Sequence, residues 1–227
     1  MKRLTPVAIE VTPARRRVFQ RRLLAWYRRH QRDLPWRRTR NPYHILVSEI
    51  MLQQTQVPRV VPKYREWLRR YPSITALAGA GAREVREAWY PLGYNIRPIR
   101  LREIAREAVL RHGGRLPRTH RELLAFKGIG PYTAGAVLSF AFRQDAPILD
   151  TNVRRVLRRV FAGDGTRPSE RALWRLAADV LPRGRAYDFN QGLMDLGALV
   201  CTSRRPRCSQ CPVAKACMSY PMGDAAP

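Results

Sequence analysis

The sequence predicts an all-α protein. Three observations lead there: apolar residues recur at helical spacing along most of the chain, helix-start and helix-stop residues punctuate that pattern, and no segment alternates apolar and polar residues as a half-buried strand does. No repeats or low-complexity linkers interrupt the pattern. With 227 residues, 45% of them hydrophobic, the chain can bury a substantial core in one or two domains.

Taken in order, residues 1–12 are expected to be loosely ordered. Over 14–30, Val18, Leu23, Trp26 and Tyr27 share a face while arginines fill the other, which predicts a first helix. Leu34-Pro35-Trp36-Arg37 breaks it. Asn41 followed by Pro42 is a helix-start pair, and the helix it opens carries Glu49. Further helices are predicted over 62–70, 73–79, 83–90 and 97–112, the last closed by Gly113-Gly114. Thr119 and Glu122 form a capping box for the next helix. Beyond Asp150 the helical period returns over 152–161, 169–181 and 188–201.

Residues 123–150, LLAFKGIGPYTAGAVLSFAFRQDAPILD, hold the most informative stretch. Gly128 and Gly130 supply permissive backbone and Pro131 stands at a first helical position, so an apolar helix runs into a tight turn and another runs out, ending near Arg143. The turn offers helix N-terminal amides and a dipole end to one phosphate. This reads as a helix-hairpin-helix, with an ordinary helix connection as the plain alternative. Pro147-Ile148-Leu149 then delivers Asp150 from an apolar approach, where it serves as a helix N-cap, a reactive carboxylate or both.

The charge balance points to the partner. Lys and Arg number 43 against 17 Asp and Glu, a net charge of +26 spread from Arg15 to Arg207, so a polyanion is expected. A membrane is disfavoured, because no run approaches ~18 apolar residues, and nucleic acid is favoured. The N-terminus MKRLTPVAIEVTPARRR has no apolar core of the kind that a secretory signal needs, so the protein is read as cytoplasmic. Cys201, Cys208, Cys211 and Cys217 follow a C-x6-C-x2-C-x5-C pattern. In a reducing compartment this is a metal site before it is two disulfides, and both Zn²⁺ and a [4Fe-4S] cluster suit four thiolates.

Glu49 is a carboxylate in a mostly apolar helix and so requires either a partner, such as one of the many arginines, or a chemical task. A general acid that protonates a purine, with a second, ionised carboxylate facing the sugar, would be such a task.

The hairpin LLAFKGIGPYTAGA, PILDTNVRRVL around Asp150, SEIMLQQTQV around Glu49 and the four cysteines together resemble the base-excision DNA glycosylases of the endonuclease III, helix-hairpin-helix superfamily, and among them the adenine DNA glycosylase (MutY) branch. The resemblance spans residues 34–217. It implies two helical domains, a six-helix barrel over 39–142 with the hairpin and an iron-sulfur domain of 1–38 with 143–227, and a monomer acting on double-stranded DNA with a mismatched or damaged base pair. It implies a [4Fe-4S] cluster on Cys201, Cys208, Cys211 and Cys217, with Glu49 as acid and Asp150 as stabiliser. Tyr132 stands where strand-cleaving members have a lysine, so no Schiff base can form and the enzyme is expected to be monofunctional.

Gln54 and Thr55 match intercalating and pocket positions, filling the gap that an extruded base leaves. Gly128, Gly130 and Asn152 join them as expected DNA contacts. Arg32, Leu34, Trp36 and Arg37 match the segment lining the adenine pocket, with Trp36 available for stacking. Gly93-Tyr94 resembles the family's GLGY loop. The thymine branch has alanine where Val57 stands and leucine where Gln191 stands, and an amide at 191 can pair with adenine's amino edge.

The sequence ends at Pro227, without the second domain that reads 8-oxoguanine in most of the adenine branch, so a weaker preference for 8-oxoguanine over guanine is expected. The leading function is therefore removal of mispaired adenine. A thymine or uracil glycosylase acting opposite guanine is the alternative, and a non-catalytic helix-hairpin-helix DNA-binding protein stands behind both.

Overall fold

The computed structural model describes residues 9–220, and most of the stretch expected to be loose, 1–8, lies outside them. Eleven α-helices occur among the described residues: α1 (Pro13–His30), α2 (Pro42–Leu52), α3 (Val57–Arg70), α4 (Ile74–Gly79), α5 (Ala82–Trp89), α6 (Ile96–His112), α7 (His120–Ala125), α8 (Pro131–Phe140), α9 (Thr151–Phe161), α10 (Glu170–Asp179) and α11 (Ala186–Leu199). Short 3-10 turns add Pro35–Arg37, Cys208–Gln210 and Ala214–Ala216, and no strand is present among the described residues. The chain divides into two compact units, 33–144 and 1–32 with 145–227. No described helix is long and apolar enough to cross a membrane.

Unit 33–144 is organised around α2. The Asn41 side chain accepts from the Tyr43 and His44 amides, Pro42 opens the helix, and every residue from Ile45 to Met51 is buried. An aromatic block supports it: the Trp67 ring meets Trp89 at 5.3 Å and Tyr71 at 4.8 Å, the Trp67 indole donates to the Tyr43 hydroxyl at 3.2 Å, and that hydroxyl donates to the Tyr71 carbonyl at 2.8 Å. Burying each ring of this size contributes about 1.5–3 kcal/mol before its polar tip is satisfied.

The helix expected over 62–70 begins five residues earlier, with Pro62 inside it. Its buried face, Val60, Lys63, Tyr64 and Trp67, carries the helix through the proline, whose ring faces solvent. Tertiary burial overrides a local breaker there. Helix α8 ends at Phe140, short of Arg143, which takes a left-handed φ of 57°. Thr119 caps α7 through the Glu122 amide, but its hydroxyl donates to the Glu122 carboxylate, so the capping is reciprocal without the return bond to its own amide.

In unit 1–32 with 145–227, α1 and α9 both pack on α11, and Phe19 meets Phe161 and Phe189 edge-on at 5.1 and 5.8 Å. The Arg15 guanidinium donates to the carbonyls of Val160 and Ala216, each at 2.7 Å, which ties the cysteine segment to α1 and α9. Arg32, just past the C-cap Gln31 of α1, forms an ion pair at 2.6 Å with Asp195 of α11, whose side chain is fully buried.

Candidate active site

The hairpin forms as a turn between α7 and α8. Gly128 takes φ of 109°, where a side chain is strained, and a Cβ there would also crowd Arg100 at 3.4 Å. Gly130 differs from expectation. It is the N-cap of α8 in ordinary extended backbone (φ −93°, ψ 176°), a conformation any residue adopts. Pro131 follows as the first helical residue and both flanking faces, Phe126 with Ile129 and Val137 with Leu138, are buried.

The start of α8 also brings Tyr132 to Glu49. Its hydroxyl donates to Glu49 Oε2 at 2.6 Å across 83 residues of sequence, and Glu49 is only 3% exposed. The carboxylate of α2 thus has a defined hydrogen-bond donor in an otherwise apolar helix face, which limits its rotamers as well as its solvation.

In the other unit, Asp150 caps α9: its Oδ1 accepts from the Val153 amide at 2.6 Å. Burial pushes its carboxyl above the usual carboxylate range, opposed by the Val153 amide, by Asn152 and by the charge of Arg155. Asn152, expected to meet DNA, is half-buried, donates to Asp150 Oδ2 at 3.3 Å and accepts from Arg155 Nη2 at 2.7 Å. Arg155 in turn donates to the Cys201 carbonyl and to the Gly197 carbonyl, each at 2.8 Å. A continuous chain of hydrogen bonds therefore links Asp150 to the cysteine segment.

Cys201, Cys208, Cys211 and Cys217 line one cavity of about 90 Å³, together with Val156, Val160, Leu196 and Val213. Among the described residues no three His, Cys, Asp or Glu side chains are grouped closely enough to hold a metal ion. Arg159 donates to Cys201 Sγ at 3.5 Å, and burial raises the Cys211 thiol to about 11. Four thiols lining one cavity are a donor set that an iron-sulfur cluster and Zn²⁺ both accept. Arg207 lines the cavity, and Arg204, Arg205, Arg207 and Lys215 are all exposed.

The residues matched to the base pocket are placed as follows. Leu34 and Trp36 are buried, and the Trp36 ring packs edge-on against Tyr64 at 5.4 Å, so it is part of the core instead of standing open for stacking. Arg37 closes the 3-10 turn and Val57 opens α3, both half-buried. Arg32 is engaged by Asp195, and Gln191 is buried on α11. Gln54 follows the end of α2 with a left-handed φ of 54° and is exposed, and Thr55 follows it half-buried.

A family model described as HhH-GPD superfamily base excision DNA repair protein matches residues 47–181. The chain belongs to this superfamily. Among curated relatives, the adenine DNA glycosylase of Homo sapiens is 46% identical over 212 residues, 88% of this chain and 39% of that one. The thymine/uracil-DNA glycosylase of Methanothermobacter thermautotrophicus is 36% identical over 214 residues, 93% of this chain and 97% of that one. Among solved structures, a thermostable thymine-DNA glycosylase superposes with a TM-score of 0.86 at 35% identity, covering 93% of this chain and 99% of that one. The chain spans about two fifths of the length of the human relative it matches.

Sequence reasoning missed three residues. Arg97 is 5% exposed and inserts between the end of α2 and the loop before α6. Its phase was readable, since 97, 101, 104, 105 and 108 share the buried face of α6. Arg155 and Asp195 gave no comparable signal. Another cavity of about 720 Å³, lined by Tyr43, Ile74, Arg115 and Phe142, holds none of the expected site residues.

Proposed function

We propose that this protein is a monofunctional DNA glycosylase that hydrolyses the N-glycosidic bond of adenine mispaired with guanine or 8-oxoguanine in duplex DNA, acting as a monomer. The observation that carries the reading is the Tyr132–Glu49 hydrogen bond at 2.6 Å. The hairpin residue that would be a Schiff-base lysine in a strand-cleaving enzyme is here a phenol aimed at the catalytic acid.

Glu49 protonates N7 of the extruded adenine, and the bond between C1′ and N9 breaks with its electron pair moving to the base. Asp150 stabilises the cationic character at the sugar. Water then adds to C1′ and gives up its proton to the Glu49 carboxylate, which restores the acid and leaves free adenine and an abasic site. Tyr132 orients Glu49, and Gln191 and Val57 favour adenine's edge over thymine's. Gln54 and Thr55 occupy the space left in the duplex, and the hairpin amides beside Gly128 hold one phosphate. The unit 33–144 serves as the barrel domain and the other as the cluster domain. Cys201, Cys208, Cys211 and Cys217 hold a [4Fe-4S] cluster that makes a rigid DNA-facing loop of a segment with few apolar residues of its own. Removing a base needs no electron transfer.

Two likenesses over nearly the whole length of thymine glycosylases support thymine or uracil opposite guanine as the second reading. A glycosylase assay on duplexes carrying A, T or U opposite G and 8-oxoguanine decides between them. Adenine release that is lost in Gln191→Leu while duplex binding persists is the expected result. Release of thymine or uracil with adenine untouched would overturn the assignment.

A further inference from the structure

Two of the three non-glycine residues with positive φ among those described are Gln54 (54°) and Tyr94 (49°). Neither is a residue type suited to that region by a short self-bonding side chain, so each turn needs support from its surroundings. The same side chain supports both. Arg97 Nη1 donates to the carbonyls of Ile50 (3.1 Å), Met51 (3.0 Å) and Gln53 and to Thr55 Oγ1 (3.2 Å), while Nη2 donates to Thr55 Oγ1 (3.2 Å) and to the carbonyls of Leu92 (3.2 Å) and Gly93 (3.1 Å). The Gln53 and Gly93 carbonyls belong to the peptide groups immediately before Gln54 and Tyr94. Fixing those two peptide planes fixes the planes about which the two left-handed φ angles turn.

Geometry explains why the clamp is an arginine. The guanidinium is planar and presents its donors in a rigid fork, so one end can serve the turn after α2 and the other the loop before α6. It also lies over the Trp89 and Tyr94 rings, at 5.2 and 5.3 Å from their centroids, and these contacts add to its hold. The first group of acceptors includes the last carbonyls of α2, the helix that carries Glu49. The residues held in the strained turns, Gln54 and Tyr94, are both exposed, with Tyr94 60% exposed. A buried core arginine thus sets the orientation of two polar or aromatic side chains that stand in solvent.

We propose that Arg97 is a positioning residue for base extrusion: it locks the Gln53–Thr55 turn and the Leu92–Tyr94 loop into one rigid element, so that Gln54 and Tyr94 meet the duplex together. This inference rests on the reading of Gln54 as the residue that fills the vacated space, and it adds that the filling depends on a side chain that touches no DNA. The arrangement gives the strain a use. A turn already held in its left-handed conformation loses little further freedom when it enters the duplex.

The test separates extrusion from bond cleavage by placing 2-aminopurine at the target position, whose fluorescence rises when it leaves the stack. In Arg97→Lys the ammonium keeps the charge but cannot span both turns. The expected result is a folded protein whose affinity for an abasic product duplex falls by less than about 3-fold, while the extrusion amplitude and the single-turnover rate on paired adenine fall about 10-fold or more. In a Gln54→Ala background the same substitution should cost much less, because the two act through one turn. Should Arg97→Lys fail to fold, Thr55→Val, which removes one acceptor shared by both nitrogens, replaces it in the same comparison and should show a smaller loss with the same dependence on Gln54. Parent-level extrusion in the variant, or losses that multiply with those of Gln54→Ala, would overturn the proposal. If the unaltered protein extrudes the base but releases no adenine, the functional proposal fails while the extrusion comparison still decides the role of Arg97.

Discussion

Replacing Gly197 by alanine tests whether packing of α11 on α9 sets the position of Asp150. A Cβ on Gly197 would lie 2.6 Å from Asn152 Cβ and 3.2 and 3.3 Å from its Cα and carbonyl carbon. Ordinary carbon contacts need 3.5–4.0 Å, and two of the three neighbours are backbone, so the helices must part by about 1 Å at that point. Overpacking of this kind costs about 1–3 kcal/mol, and at ~2–4 °C per kcal/mol for a chain of this size the melting temperature should fall by roughly 2–12 °C. The displaced residue is the one that holds Asp150 Oδ2 and receives Arg155, and Arg155 also binds the Gly197 carbonyl. A shift of about 1 Å at a reacting group can cost ~100-fold in rate. Thermal melts paired with single-turnover base release therefore give two readings for one methyl group. Parent-like melting and parent-like rate would refute the close contact itself. A lowered melting temperature with an unchanged rate would refute the idea that this contact positions Asp150.

Asp150→Asn should abolish turnover, keep duplex affinity and raise stability at neutral pH. Burial raises the Asp150 carboxyl in the folded state, so its contribution to stability is fully present below the unfolded pKa of about 3.9 and is lost as pH rises through the folded value, whereas Asn keeps the N-cap without that loss. Equal melting temperatures of parent and variant at pH 7 would contradict this. Tyr132→Phe removes a donor to Glu49 worth about 1.5–3 kcal/mol, so single-turnover release should slow by roughly 10- to 150-fold with little change in binding. Efficient borohydride trapping of the parent on DNA would sink the monofunctional assignment. The purified protein should be brown and contain about four irons, with Cys208→Ser losing iron, fold and DNA affinity together; stoichiometric zinc without iron would refute the cluster. If about five phosphates are engaged, affinity should fall by about 500-fold between 50 and 200 mM salt, and a flat salt response would contradict the use made of the +26 charge.

The helices were legible wherever local signals agree with burial. Asn41-Pro42, Ser73, Asp150 and Ser169 all cap the helices that they announce, because a cap is chemistry between residues two or three apart. Pro62 misled for the opposite reason: the fate of a proline in a helix depends on how much apolar face the surrounding turns bury, which is a property of the partner helices α2 and α5. Trp36 misled likewise, since a sequence does not say whether an aromatic ring stands open or packs on Tyr64.

By itself the sequence determined the candidate residues: two carboxylates in apolar settings, a glycine turn opening a helix, and four thiols at short spacing. It determined these because each is set by residue type and near-neighbour spacing. The tertiary structure alone decided the pairings that cross tens of residues. It placed Tyr132 on Glu49 over 83 positions and Arg32 on Asp195 over 163, ran Asn152 and Arg155 between Asp150 and Cys201, and set one arginine under two strained turns. Those contacts depend on which helix faces meet and at what height, and that is fixed by the close packing of whole surfaces, to which every residue of a helix face contributes and which no short stretch of sequence encodes.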